Sequence, residues 1–128
     1  MIKFNSVFKG YPGTKDILQN ISFEIDSGEL VFVTGSSGAG KSTLLKLISA
    51  IESPSAGEII FDNQNLSDLR TGDMPYLRRK FGMIFQDHKL LFDRTCFENV
   101  ALPLAINDTT SVDISRRVRA ALNKVGLL

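Results

Sequence analysis

The chain has 128 residues, 43% of them hydrophobic, with a formal net charge of +1 and a single cysteine, Cys96. Such a length and composition describe one domain's worth of a soluble α/β protein. The near-zero charge gives no global attraction to nucleic acid or lipid, and no apolar stretch approaches the roughly 18 to 20 residues that cross a bilayer. No secretory signal pattern opens the sequence, and a lone cysteine makes no internal disulfide, which suits a reducing cytoplasm. Any membrane role would run through a protein partner.

The first third reads as short strands. Ile2-Lys3-Phe4 with Val7-Phe8, then Ile21-Ser22-Phe23-Glu24-Ile25, then Leu30-Val31-Phe32-Val33 are β-like runs separated by turn signals at Tyr11-Pro12-Gly13 and Asp26-Ser27-Gly28. Ile21, Phe23 and Ile25 alternate with polar residues and predict a strand with one wet face. Leu44, Leu45, Leu47, Ile48 and Ile51 recur at helical spacing and predict a helix to about Glu52, stopped near Ser53-Pro54-Ser55-Ala56-Gly57. Glu58 to Phe61 predicts a further strand, closed by a turn at Asp62-Asn63.

Beyond Leu66, Met74 to Lys80 predicts a short basic helix and Gly82-Met83-Ile84-Phe85 an apolar strand ending at Gln86-Asp87. Helical periodicity returns over Thr95 to Leu104 and Val112 to Val125, with Ile114, Val118, Leu122 and Val125 sharing a face. The polar run Asn107-Asp108-Thr109-Thr110-Ser111 reads as loop and N-cap between them. The apolar cluster Leu90, Leu91, Phe92 and Phe97 is expected in the core of this helical part, a partner groove being the alternative. Cys96, beside Phe97, is expected to be a small buried hydrophobe.

Chemistry concentrates between Val33 and Leu44. Gly35-Ser36-Ser37-Gly38-Ala39-Gly40-Lys41-Ser42 has the spacing of a phosphate-binding loop, set between an apolar run and an amphipathic helix. Glycines at 35, 38 and 40 bring backbone N–H groups against a polyphosphate without an intervening Cβ. The following helix directs its positive end at the same anion. Lys41 is placed for the β and γ phosphates, and the Ser42 hydroxyl for Mg²⁺. A glycine-rich turn before a helix is the bland alternative, and the flanks argue against it.

Other polar residues carry less. Ile59-Ile60-Phe61-Asp62 has the form of a strand ending in a metal-binding aspartate, but no glutamate follows Asp62 and Asp62-Asn63 is ordinary turn chemistry. His88 lacks a cluster of partners at metal-ligand spacing. Were the chain a soluble phosphate-loop kinase, Arg78, Arg79 or Arg94 would serve the transferred phosphate, but no acceptor site is evident and all three equally suit a solvated face.

The order of these features resembles the ATP-binding subunits of ABC transporters over essentially the whole chain. The stretch Phe85-Gln86-Asp87-His88-Lys89-Leu90-Leu91-Phe92-Asp93-Arg94-Thr95, followed by Phe97-Glu98-Asn99-Val100-Ala101-Leu102-Pro103-Leu104, is similar to the subunits of bacterial cell division. Lipoprotein-release and macrolide-export ATPases are similar too. The resemblance implies an α/β P-loop NTPase of ABC type, a β-rich first part followed by the start of a helical subdomain, with 1–86 the ATP-binding core and 87–128 the beginning of that subdomain. ATP and Mg²⁺ would be the cofactors. Gly35, Ser36, Ser37, Gly38, Ala39, Gly40, Lys41, Ser42 and Thr43 would hold the phosphates, and Tyr11 would stack on adenine. An ordinary tyrosine in a Pro-Gly turn is the alternative, and the residues alone favour it. Gln86 would join Lys41 as a catalytic group, join Ser42 at the metal, and link the site to a transmembrane ABC-type partner; a strand-capping polar residue is its alternative. His88, just after it, would mark the partner-facing surface.

The family implies a homodimer of intact subunits, peripheral on the cytoplasmic face of the bacterial plasma membrane, with no nucleic acid involved. It also uses a Leu-Ser-Gly-Gly-Gln signature, a strand-terminal aspartate with a catalytic glutamate, and a later histidine, none found up to Leu128. Val125-Gly126-Leu127-Leu128 resembles the segment before the signature. The expectation is the N-terminal half of a subunit, binding ATP with little or no hydrolysis. Apolar surface left uncovered in such a half would make it marginally stable or self-associating.

Overall fold

The computed structural model describes residues 1–107 and 110–128; Asp108 and Thr109 of the expected loop lie outside the described residues. It divides into two compact units, Met1–Met83 and Ile84–Leu128.

In the first unit, β1 (Ile2–Lys9), β2 (Leu18–Ile25), β3 (Ala56–Phe61) and the two-residue β4 (Gln64–Asn65) form a four-stranded sheet in the order β2-β1-β3-β4. Every pairing is antiparallel. The two apolar runs Ile2–Phe4 and Val7–Phe8 belong to one strand. Phe4 lies opposite Phe23 and Val7 opposite Ile21, so β1 spends three residues where β2 spends two. The extra residue is Ser6, at φ 46°, whose N–H donates to Ser22 Oγ at 2.8 Å. This bulge brings Phe4 and Val7 to the same face, where an unbroken strand would oppose them. Glycine faces the bulge of necessity: a Cβ at Gly57 would lie 2.2 Å from the Ser6 carbonyl oxygen.

The helix α1 (Lys41–Ile48) covers that face. Leu47 is packed with Phe4, Val7, Leu18 and Ile59 in a fully buried cluster, flanked by Leu44, Ile48, Ile21 and Phe23. The rings of Phe4 and Phe23 stack at 4.5 Å between centroids. The helix stops four residues before the expected Glu52. Ser49 returns its hydroxyl to the Leu45 carbonyl at 2.9 Å, and Ala50 turns left-handed at φ 53°. The N–H groups of Ile51 and Glu52 then both point back to the Lys46 carbonyl, at 2.9 and 3.2 Å, a reversal that satisfies the last helical acceptors.

The turn between β3 and β4 has Asp62 and Asn63 both at positive φ, 48° and 64°, as a tight two-residue hairpin requires. The Asp62 carboxylate pairs with the Met1 ammonium at 3.2 Å, which gives it a local structural role. After a 3₁₀ turn at Leu66–Asp68 comes α2 (Met74–Arg78), the expected basic helix, which ends two residues before the expected Lys80.

Two expected strands are not strands. Leu30–Val33 runs without regular structure, with Leu30 and Phe32 82% and 80% exposed. Gly82–Phe85 is likewise irregular, with Ile84 exposed. Strand geometry persists when backbone N–H and C=O groups find a neighbouring strand, and among the described residues the sheet holds only β1 to β4. Both runs have strand-forming composition, but composition does not supply a pairing neighbour.

The second unit contains α3 (Cys96–Ala105) and α4 (Ser111–Lys124), packed together, with Val118 of α4 fully buried. Thr95 caps α3 through a reciprocal box: its hydroxyl accepts from the Glu98 N–H while Glu98 Oε2 accepts from the Thr95 N–H at 2.8 Å. Asn99 bonds both the N–H and the carbonyl of Leu91, pinning the preceding loop to the helix. The expected core here is corrected in part. Leu90, Leu91, Phe92 and Phe97 all lie on the surface, Phe92 almost wholly, and Cys96 is exposed as the first residue of α3. Apolar content alone does not supply an element that covers these side chains.

Ile59→Ala, which hollows the cluster under α1, is expected to cost about 2–5 kcal/mol in urea unfolding followed by circular dichroism. Leu30→Ala, at an exposed position, is expected to stay within about 0.5 kcal/mol. In the second unit, loss of the cap in Thr95→Ala is expected to cost about 1 kcal/mol. The Thr95 N–H and hydroxyl hold the Glu98 carboxyl below the usual glutamate range. Its contribution is therefore present above that range and lost as pH falls through the lowered value. Acid unfolding from pH 7 to 3 should be blunted in Thr95→Ala relative to wild type.

Candidate functional site

The glycine loop Gly35–Gly40 leads into α1 through Gly40, left-handed at φ 91° and acting as the N-cap. Here a side chain would fail twice over. A Cβ on Gly40 would stand 2.7 Å from Leu18 Cδ2 and 2.9 Å from Ile17 Cγ2, so the start of α1 is seated directly on the end of the β1–β2 connection. That seating fixes where the loop's amides point.

Lys41, the first residue of α1, folds its ammonium back over the loop. Nζ donates to the carbonyls of Gly35 at 2.8 Å and Ser36 at 2.6 Å. Two of its three protons brace the loop in a curved form, which leaves one for an anion oxygen. An open hollow of about 290 Å³ lies beside it, lined by Ile17, Ser37, Gly38, Gly40, Lys41, Ser42 and Thr43. The positive end of α1, the amides of a left-handed turn and a lysine cation therefore converge on one concavity, an arrangement suited to a polyphosphate. A larger hollow of about 470 Å³, bordered by Ser53, Pro54, Leu66, Met74 and Arg78, contains neither the loop nor Lys41. Chemistry, not size, singles out the smaller one.

Ser42, exposed, and Thr43, buried, both line the hollow. Among the described residues no group of three His, Cys, Asp or Glu side chains could hold a metal ion. A lone hydroxyl supplemented by nucleotide oxygens and water is a donor set that Mg²⁺ accepts, since it keeps several waters and binds through phosphate. The residues present thus fit a magnesium ion that arrives with a nucleotide.

Tyr11 lies in the turn after β1, half-buried. Its phenol donates to Glu52 Oε2 at 2.5 Å, and Lys9 Nζ stands 5.1 Å from its ring centroid. Glu52 also accepts from Lys46 Nζ at 3.1 Å and pairs with Lys9 at 3.4 Å. The Tyr11 hydroxyl foremost, with Lys46 and Lys9, holds the Glu52 carboxyl below its usual range against the opposing effect of burial. The same carboxylate raises the Lys46 ammonium.

Gln86 belongs to the second unit, exposed at a turn with Asp87. Next to it, the Asp87 carboxylate pairs with Lys89 at 2.5 Å, and His88 and Lys89 are both left-handed, at φ 57° and 50°. The arginines considered for a kinase have local engagements: Arg78 donates twice to the Ala50 carbonyl, at 3.1 and 3.0 Å, Arg79 stacks over Tyr76, and Arg94 pairs with Glu98 at 3.7 Å. Sequence reading missed Ile17 and Glu52. Ile17 carries no motif. Glu52 reads as a surface acid at a helix end and reaches Tyr11 only because the chain reverses at Ala50.

Residues 18–128 match the family model described as ABC transporter. The chain is 56% identical over 128 residues to the cell division ATP-binding protein FtsE of Escherichia coli strain K12, covering 100% of this chain and 58% of that protein. It is 47% identical to the FtsE of Haemophilus influenzae, over 99% of this chain and 59% of the relative. It thus spans under two thirds of the length of these relatives. Among solved structures, a dimeric ATP-binding cassette in a post-hydrolysis state with ADP and Pi superposes with a TM-score of 0.87 at 34% identity, over 96% of this chain and 56% of that one. With the family model matching residues 18–128, most of its length, the chain belongs to the ABC transporter family.

Proposed function

We propose that the chain is the ATP-binding part of an ABC-type ATPase subunit that works with a membrane partner, of FtsX-like type, in bacterial cell division. The observation that carries the nucleotide reading is the Lys41 ammonium held over the Gly35–Gly40 loop beside Ser42. The 56% identity to a cell division ATP-binding protein supports the cellular role. In this reading 1–86 is the ATP-binding core and 87–128 the beginning of the helical subdomain. The subunit dimerises and lies peripherally on the inner face of the plasma membrane; among the described residues no helix is long and apolar enough to cross it.

The phosphates sit against the amides of Gly35 to Ser42, with Thr43 at the start of the helix behind them. Lys41 places its third proton on a β or γ oxygen, where a fixed cation lowers the cost of charge developing on the transferred phosphoryl group. In this reading the Ser42 hydroxyl and Gln86 would hold Mg²⁺, which would neutralise phosphate charge when bound. Gln86 orients the attacking water and couples the site to the partner, with His88 on the surface that faces it. Tyr11 stacks on adenine. Positioning supplies much of phosphoryl-transfer catalysis, so hydrolysis depends on the groups that complete the site in the intact dimer.

Thermal unfolding with Mg²⁺ and ATP at about a hundredfold Kd is expected to show a stabilisation of about 2.7 kcal/mol in the wild type. Lys41→Ala, which removes the brace and the cation together, is expected to abolish most of it. A wild-type protein whose melting temperature ignores ATP would overturn the nucleotide reading.

A further inference from the structure

The reading of Tyr11 as the adenine platform leaves open what holds its ring. A tyrosine in a Pro-Gly turn rotates about two side-chain torsions, and a base stacks well only on a ring whose plane is already fixed. The structure supplies a clamp at both the oxygen and the face. Glu52, its side chain 20% exposed, accepts the phenol proton at 2.5 Å. Lys9, its side chain 14% exposed, pairs with the same carboxylate at 3.4 Å, donates to the Ser53 carbonyl at 2.8 Å and covers one face of the ring at 5.1 Å. With one face taken by a cation, a base stacks on the opposite face.

Glu52 is itself fixed from α1. Lys46 Nζ reaches its other oxygen at 3.1 Å, and its N–H donates to the Lys46 carbonyl at 3.2 Å. The same helix begins with Lys41 over the phosphate loop and carries Lys46 near its end. The carboxylate therefore ties the base platform to the element that presents the phosphate site.

We propose that Glu52 is a positioning residue for nucleotide binding, holding the Tyr11 ring through its phenol so that base and phosphate subsites keep a fixed relation on α1. This rests on Tyr11 as the adenine contact. Glu52 touches no nucleotide atom in this scheme; it acts through Tyr11. It favours ATP over a phosphate chain that lacks the base.

The test is isothermal titration of the chain with ATP and with inorganic tripolyphosphate, both with Mg²⁺. Tyr11→Phe keeps the ring and loses the hydroxyl, and Glu52→Leu removes the acceptor. Each is expected to weaken ATP binding about threefold to tenfold, the value of one hydrogen bond, while tripolyphosphate binding stays at the wild-type level. The double variant should be no weaker than either single one, because both break the same link. Tripolyphosphate also reports whether the loop remains folded, and Tyr11→Phe keeps the test decisive should Glu52→Leu unfold. Equal losses for ATP and tripolyphosphate in Tyr11→Phe, or no loss in either single variant, would overturn the proposal. Tyr11→Ala separates the two layers. If it weakens ATP while Tyr11→Phe and Glu52→Leu do not, the clamp alone fails; if it binds ATP as the wild type does, the adenine contact fails and the clamp with it.

Discussion

The seating of α1 on the antiparallel sheet is the contact on which the rest of the first unit depends. Leu47 is buried among Phe4, Val7, Leu18 and Ile59, and Gly40 lets the helix start within van der Waals reach of Ile17 and Leu18. Burial of that cluster supplies the non-directional drive, but direction comes from the bulge at Ser6. Without the extra residue in β1, Phe4 and Val7 would face opposite sides of the sheet and α1 would have half a floor. The bulge in turn needs Gly57 across from it, since any Cβ there would strike the Ser6 carbonyl. A packing constraint thus reaches, through two glycines, to the loop over which Lys41 is held.

Electrostatics works at the two ends of the same helix in different ways. At the start, Lys41 turns toward loop carbonyls and concentrates positive charge beside the amide-lined hollow. Near the end, Lys46 and Lys9 flank Glu52, whose carboxylate also takes the Tyr11 phenol. The ion pairs around Glu52 are partly exposed and individually modest. Their value lies in geometry, since three side chains, from β1, the following turn and α1, meet at the carboxylate of Glu52 in the chain beyond the helix.

Much of the candidate site's local structure could be read from residue order because it resides in local backbone geometry. Gly35 to Ser42 specifies turns, exposed amides and a helix start with no help from distant residues, and the loop and helix were legible for that reason. The strands β1, β2 and β3, the hairpin turn at Asp62-Asn63 and the helices α2, α3 and α4 were legible on similar grounds of alternation, turn residues and periodicity. The join of Ile2–Phe4 to Val7–Phe8 was not, because a bulge is chosen by what packs on the strand. Leu30–Val33 and Met83–Phe85 failed in the opposite sense. Their composition favours strands, but a strand is a pairing, and no described strand lies beside them. Cys96, Leu90 and Phe92 are exposed against expectation because apolar character says what gains from cover and not where cover is.

By itself the sequence determined the glycine loop before α1, the type of most elements and the family, since each is encoded over a few adjacent residues or in a collinear pattern. Only the tertiary structure decided that α1 ends at Ile48, that Ala50 reverses the chain, and that Glu52 therefore meets Tyr11, Lys9 and Lys46. Those four residues span positions 9 to 52, and no local propensity links them. Their meeting follows from chain reversal and from packing on a shared core, which are set by the sum of many contacts and so are written in no single stretch of the sequence.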